Sequence, residues 1–223
     1  MNNKYKHIAV IPARKNRKSL PFKNRFLFKH TAEFLKGNKL FDDVYVNSDD
    51  PVLKDMAKKY GFNFFNRQEK LASDTSCIKE VFVDMNDKLK FSSNTFIWLF
   101  YIPLVYKNNN DFKKAIKITE KKKLKSICSF KEAETHPMSC WYIEENKPSQ
   151  FIKNNLCRRQ DFTKAYSHHH YICGFNVKSL KKLNNELIFK DTYPILLNRN
   201  TSKKLIEVDT PEELKKFKKM NKK

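Results

Sequence analysis

Residues 8–24 read IAVIPARKNRKSLPFKN: a buried-strand run, Ile8 to Ile11, that opens into a loop carrying Arg14, Lys15, Arg17, Lys18 and Lys23. A cationic loop just past a buried strand is where α/β sheets place anionic ligands, beyond the carboxyl ends of their strands. Phosphate loops normally contain glycine, so that backbone N–H groups can approach the anion. This loop has none, so side-chain charge would have to replace backbone donors. Near the other end, Glu207 and Asp209 stand two residues apart in LIEVDTPEEL. On a strand both would point to one face. Two carboxylates there would offer the hard oxygen ligands that Mg²⁺ takes, with water completing an octahedron. The same run also reads as a helix start, with Asp209 as cap, Pro211 in the first turn, and Glu212 and Glu213 at the positive end. His168, His169 and His170 are consecutive, and alternation along a strand forbids all three from binding one metal. Pocket lining or surface is the expectation for them.

The elements that must position these residues follow from periodicity. Strands are expected at His7–Ala13, Asp43–Ser48, Phe62–Asn66, Thr95–Tyr101, Lys125–Lys131, Ser139–Glu144, Tyr171–Asn176 and Leu205–Val208. Helices are expected at Thr31–Lys36, Pro51–Tyr60, Ser76–Leu89 and Asp111–Lys122, with a short one at Ser179–Leu183 and a last one entered by Pro211. Asp50 should cap the helix at Pro51 and Gly61 should end it. Asp49 and Asp74 read as further cap residues, and His136 before Pro137 as a turn residue. Lys147–Ala165 reads as loop. Alternating strands and helices imply a doubly wound α/β sheet, with a β-rich excursion between about 135 and 175.

The chain has 223 residues, enough for one domain with a full core. Its 46 Lys and Arg against 24 Asp and Glu give a net charge of +22. That charge admits a nucleic-acid-associated protein, but the lysines are scattered and no binding motif accompanies them, so no dedicated nucleic-acid partner is expected. A basic surface helps to collect anionic substrates. The five cysteines are odd in number and widely spaced, without C-x-x-C, which argues for reduced thiols. The first residues are polar and the apolar run around Phe96–Val105 is too short to span a bilayer. The expectation is a cytoplasmic protein without membrane insertion.

Six segments resemble, in order, the signatures of the acylneuraminate cytidylyltransferases, which activate sialic, legionaminic, pseudaminic and Kdo-type sugars. They are IPARKNRKSLPFKN, LFDDVYVNSDDPVLKDMAKKYG, NRQEKLASDTS, SICSFKEAETHP, RRQDFTKAY and LIEVDTPEEL, and they run from Ile8 to Leu214. The resemblance implies a three-layer α/β/α nucleotidyltransferase: one Rossmann-like domain over 1–223, a mixed, mostly parallel sheet, and a small β-rich dimerisation excursion. It implies transfer of CMP from CTP to the anomeric hydroxyl of a keto-sugar acid, with release of pyrophosphate, for surface glycan biosynthesis. Mg²⁺ is the implied cofactor, with Mn²⁺ able to replace it, and a homodimer the implied assembly. By resemblance Arg14, Lys18, Lys23 and Asp209 are catalytic. Ala13, Arg14, Asn24, Arg67 and Ser73 bind nucleotide. Arg159, Gln160, Tyr166 and His169 bind sugar, and Glu207 and Asp209 hold the metal.

The chain departs from the family pattern at identifiable places. Lys15-Asn16 and Ser19 stand where the phosphate loop has glycines. The segment between Asn24 and Leu40 is shorter. The polar fifth-strand motif becomes WLFYIPLV, which implies a different or less polar sugar pocket. The loss of glycines and of that polar set keeps open a non-catalytic nucleotide-binding homologue. The retained cations and carboxylates favour an enzyme.

Overall fold

The computed structural model describes residues 4–15, 21–156 and 158–220, and of Arg159, Lys218 and Met220 the backbone alone. Strands β1 (Lys6–Ala13), β2 (Asp43–Ser48), β3 (Asn63–Asn66), β4 (Thr95–Leu99), β5 (Ser126–Glu132), β8 (Tyr166–Asn176) and β9 (Tyr193–Leu196) form one sheet in the order β3-β2-β1-β4-β8-β5-β9. All run parallel except β8, which is antiparallel to both β4 and β5. Side-chain alternation splits the core in two. Ala9, Ile11, Phe96 and Trp98 face a layer built from α1 (Lys23–Leu35), α2 (Pro51–Tyr60) and α4 (Asn109–Lys122). Ile8, Val10, Ile97 and Leu99 face α3 (Ile78–Leu89) and the 3₁₀ segment Val177–Lys182. Strands buried on both faces must be apolar throughout, which is why TFIWL reads as one run. The result is the expected three-layer α/β/α architecture.

Local chemistry sets most boundaries. Asp50 accepts from the Val52 N–H and caps α2, and Gly61 closes it in the left-handed region at φ 74°. Gly174 lets β8 cross β4: a Cβ there would lie 2.9 Å from the Ile97 carbonyl oxygen and 2.8 Å from a Phe96 ring carbon.

Several elements differ from the sequence expectation. Helix α1 starts eight residues before Thr31, because Lys23 and Asn24 are buried by partners outside the helix that the local pattern cannot reveal. Strand β8 begins at Tyr166, not Tyr171, so the histidine run is part of the sheet. Within the expected loop, β7 (Lys147–Gln150) pairs with β6 (Trp141–Glu144) through a two-residue turn. Glu145 and Asn146 both take positive φ there, as a type I′ turn requires. Strand β9 was not expected: Pro194 hides it, and proline is tolerated because β9 is an edge. The short helix α5 (Arg199–Lys204) was also not expected.

The expected strand Leu205–Val208 reduces to a single bridge between Leu104 and Glu207. Its neighbour Pro103 accepts from the Val208 N–H at 3.0 Å but has no N–H to extend the ladder. The last helix, α6, covers Pro211–Met220. Among the described residues no helix is long and apolar enough to cross a membrane.

Candidate active site

The carboxyl end of β1 leads into the basic loop, and the structure shows how the chain starts that loop without glycine. The Lys15 N–H donates to Asp49 Oδ1 at 2.8 Å, and the Asn24 side-chain amide donates to the Arg14 carbonyl at 2.8 Å. Two side chains thus fix the Arg14–Lys15 backbone. Asp49 is therefore a loop anchor and not the helix cap expected of it. At the far end of the loop Phe22 takes positive φ, 56°, a costly conformation for an aromatic residue. The Arg25 guanidinium packs 4.3 Å from the Phe22 ring centroid and forks onto Asp50 with bonds of 2.7 and 2.9 Å. Lys18 lies outside the described residues.

Arg14 turns toward a pocket of 210 Å³ between β1 and α3. Its guanidinium donates to the Ser73 carbonyl at 2.8 Å and pairs with Asp74 at 2.6 Å. Asp74 therefore holds Arg14 and does not cap α3, where Cys77 is the cap residue. Arg67 and Ser73 line the same pocket, with Pro12, Leu71, Val81 and Tyr101. Arg67 is buried and held by Asn47 of β2: Nε donates to Oδ1 at 2.8 Å and a terminal nitrogen to the carbonyl at 2.9 Å. Of the residues expected to bind nucleotide, Arg14, Arg67 and Ser73 thus meet in one cavity. Ala13 is buried at the strand end beside it, and Asn24 orients the loop backbone. The volume is below the roughly 300–1,000 Å³ of drug-sized sites, so the pocket fits one ring of a larger ligand. Two guanidinium groups suit it to polar or anionic ligands.

The carboxylates sit at the neighbouring edge. Thr210, not Asp209, caps α6: Thr210 Oγ1 accepts from the Glu213 N–H at 3.2 Å. Glu213 reaches back to the Thr210 N–H at 2.8 Å, completing a capping box. Asp209 is left to ion-pair with Lys23, whose side chain is 0% exposed against 39% for Asp209. A fully buried ammonium requires such a partner. Glu207 is exposed while Val208 is buried, so the alternation that puts 207 and 209 on one side survives without a strand. Two carboxylates on one extended segment fit a hard divalent cation such as Mg²⁺. Lys23 on Asp209 does not exhaust that carboxylate, which has about four lone-pair sites.

The acceptor end is more open. Arg159, Gln160 and Asp161 form a 3₁₀ turn, and the Arg159 side chain lies outside the described residues. Arg158 makes the bidentate pair with Asp161, at 2.9 and 3.0 Å. Gln160 and Tyr166 are exposed, and Tyr166 pairs with Glu132 at the carboxyl end of β5; neither lines the 210 Å³ pocket. His169 points away from His168 and His170 and accepts from the Tyr171 N–H at 3.2 Å. Burial, with Lys131 and the flanking histidines, lowers its pKa to about 4. Of the described side chains expected to bind sugar, Tyr166 and His169 fall on opposite faces of β8 and do not converge in this chain. His136 is the expected turn residue, its ring accepting from the Met138 N–H.

Two contributors were not anticipated. Tyr101 of the apolar YIPLV turn reaches the pocket, whereas Leu99 and Ile102 are core. Lys107 holds that turn from beneath, donating to the Tyr101 and Leu104 carbonyls, and burial lowers its pKa to about 7. No local pattern distinguishes Lys107 from the many solvated lysines.

The cytidylyltransferase family matches residues 8–92, the span from β1 through α3. The pseudaminic acid cytidylyltransferase of Campylobacter jejuni (strain 81-176) is 26% identical over 94% of this chain and 93% of its own. The CMP-N,N'-diacetyllegionaminic acid synthase of Legionella pneumophila is 26% identical, covering 92% and 91%. Among solved structures, a CMP:2-keto-3-deoxy-manno-octonic acid synthetase in complex with CTP superposes with a TM-score of 0.66. It is 14% identical, covering 96% of this chain and 98% of that one. The 4-diphosphocytidyl-2C-methyl-D-erythritol synthase of Anaerococcus prevotii superposes at 0.62 and 14% identity, covering 96% and 94%.

Proposed function

Since the chain is a divergent member of the cytidylyltransferase family, a nucleotidyltransferase enzyme, we propose that it transfers CMP from CTP to a keto-sugar acid of the nonulosonic class. Pseudaminic- and legionaminic-type acids are the first acceptors to consider, from the names of its relatives. The observation that carries this reading is the convergence of Arg14, Arg67 and Ser73 on one pocket beside β1, with Glu207 and Asp209 on the adjoining segment. In the reaction the anomeric oxygen forms a bond to the α-phosphorus. The bond from that phosphorus to the bridging oxygen breaks, pyrophosphate departs and the hydroxyl proton is released. Arg67 and Ser73 hold the nucleotide, while Arg14 and Lys18 neutralise charge that grows on the leaving group. Glu207 and Asp209 would hold Mg²⁺, which would lower the charge repulsion between phosphate and incoming oxygen. Mn²⁺ would serve in its place.

The sugar is bound at the arm, by Arg159, Gln160, Tyr166 and His169, and a second copy of the chain closes the site. The hairpin β6–β7 supports this, since Trp141, Ile143 and Phe151 are more than half exposed. The cytoplasm, where CTP is made, is the proposed location. A second reading, a nucleotide-binding protein without turnover, is favoured by one observation: Lys23 already engages Asp209.

Pyrophosphate release with CTP, Mg²⁺ and a panel of sialic, legionaminic, pseudaminic and Kdo-type acids tests the proposal. Release with one acid, dependent on CTP and metal, is expected. CTP-dependent thermal stabilisation with no release across the panel would favour the second reading. Neither stabilisation nor release would overturn both.

A further inference from the structure

Beyond the carboxylate pair, a second cluster has the composition of a metal site. His168 and His170 alternate onto one face of β8, and Glu186 approaches them from the loop after the 3₁₀ segment. His168 Nε2 lies 3.1 Å and His170 Nε2 4.0 Å from the same oxygen, Glu186 Oε2. All three ligand atoms fall within 4.8 Å of one another. Ligands about 2.0–2.1 Å from a tetrahedral ion stand about 3.3 Å apart. Modest closure of the exposed His168 would therefore complete the set. Consecutive histidines cannot all bind one ion, but the outer two of three can, and His169 is turned away, toward the Tyr171 N–H.

The loop that offers Glu186 is built to hold it still. Asn184 Oδ1 accepts from the Glu186 N–H at 3.0 Å and the Ile188 N–H at 2.9 Å, and Asn184 N donates to the Ile188 carbonyl. Leu187, fully buried, anchors the turn in a left-handed conformation at φ 59° that a branched side chain adopts only under constraint. His170 is likewise fixed. It is 12% exposed, packs 5.4 Å from the Tyr101 ring, and its Nε2–H donates to the Glu186 carbonyl at 3.0 Å. The His170 ring and the Glu186 backbone are therefore held in place before any ion arrives; on binding, His170 Nε2 gives up its proton and its bond to the Glu186 carbonyl, and the exposed carboxylate swings onto the ion.

We propose that His168, His170 and Glu186 bind one first-row divalent transition ion of the Zn²⁺ class, with a fourth position left to water. Two imidazoles and one carboxylate select Zn²⁺, Co²⁺ or Ni²⁺ over Mg²⁺, whose preference is for oxygen alone. The bound ion ties the Asn184–Ile188 turn to β8, where His170 meets Tyr101 of the nucleotide pocket. It stabilises that rim and takes no part in phosphate chemistry.

The test uses tag-free, full-length protein, metal-stripped and titrated with Co²⁺ in excess Mg²⁺. One equivalent of Co²⁺ should bind and give the visible d–d bands of a four- or five-coordinate site. Loss of a single outer-shell partner typically weakens a metal 10–100-fold, so loss of a direct ligand should weaken it by at least about 100-fold. The double variant H168A/H170A and the surface variant E186Q should each show that loss, with unaltered far-UV circular dichroism. Absence of Co²⁺ binding by the unsubstituted protein would overturn the proposal. So would binding that persists at full strength in H168A/H170A, since the ion would then sit elsewhere.

Discussion

Asp209→Ala should cost this protein stability as well as turnover, and the asymmetry with its partner is the informative quantity. The Lys23 ammonium is fully buried and ion-paired with Asp209, whereas the Asp209 carboxylate is 39% exposed. Removing one member of a buried pair costs about 3–5 kcal/mol, because the remaining charge stays out of water. Asp209 is partly solvated, so screening reduces the pair's worth and the lower end, about 3 kcal/mol, applies. For a chain of this size 1 kcal/mol moves Tm by about 2–4 °C, so D209A should melt about 6–12 °C lower. Lys23→Met leaves behind a carboxylate that water can reach and fills the same space with an apolar chain. Its expected loss is within about 1 kcal/mol, or about 4 °C. The double variant K23M/D209A should regain most of what D209A loses, a coupling that a double-mutant cycle isolates. Calorimetric melting and urea titration of the four proteins would measure it. Equal losses for K23M and D209A, or no loss for D209A, would refute the reasoning. Turnover tells the roles apart: D209A and K23M/D209A should both be inactive, although only the first is unstable.

Gly174→Ala should destabilise by about 1–3 kcal/mol, the usual cost of overpacking, because the Ile97 backbone oxygen 2.9 Å away cannot yield; an unchanged urea midpoint would contradict the packing of β8 on β4. His169, with its folded pKa near 4 against about 6.5 unfolded, binds a proton more readily when the chain is unfolded. Its contribution to stability is therefore complete above about pH 6.5 and lost as pH falls toward 4, by roughly 2–3 kcal/mol after discount for partial exposure. His169→Gln should flatten the Tm–pH profile in that window, and an unaltered slope would count against the assignment. The proposed homodimer would show in sedimentation as a dimer that Ile143→Ser with Phe151→Ser shifts toward monomer without lowering CTP binding; a monomer before substitution would refute the proposed assembly. A dimer of undiminished strength would exclude the β6–β7 hairpin as its interface.

The local rules carried the elements whose partners are near in sequence. Asp50, Pro51 and Gly61 bound α2 because a cap, a proline and a left-handed glycine act within a few residues. The strand run TFIWL and the spacing of Val81, Phe82 and Met85 announced their burial by composition alone. The basic loop and the carboxylate pair were visible as residue types, and Arg14, Arg67 and Ser73 could be named before any fold was known. Tertiary structure alone decided what these residues do to each other. Lys23 looks like one more solvated lysine until Asp209, 186 positions later in the chain, is brought against it, and only then does α1 begin where it does. Asp49 and Asp74 looked like caps, since a short carboxylate beside a helix start is a cap by local chemistry. The fold gave them Lys15 and Arg14 instead. Edge strand β9 and the Glu186 turn had no local signature, because what orders them is the strand beside them. Sequence sets which groups are available and which short segments stiffen. Long-range burial decides which charges must meet, because a charge withdrawn from water is tolerated only beside its complement.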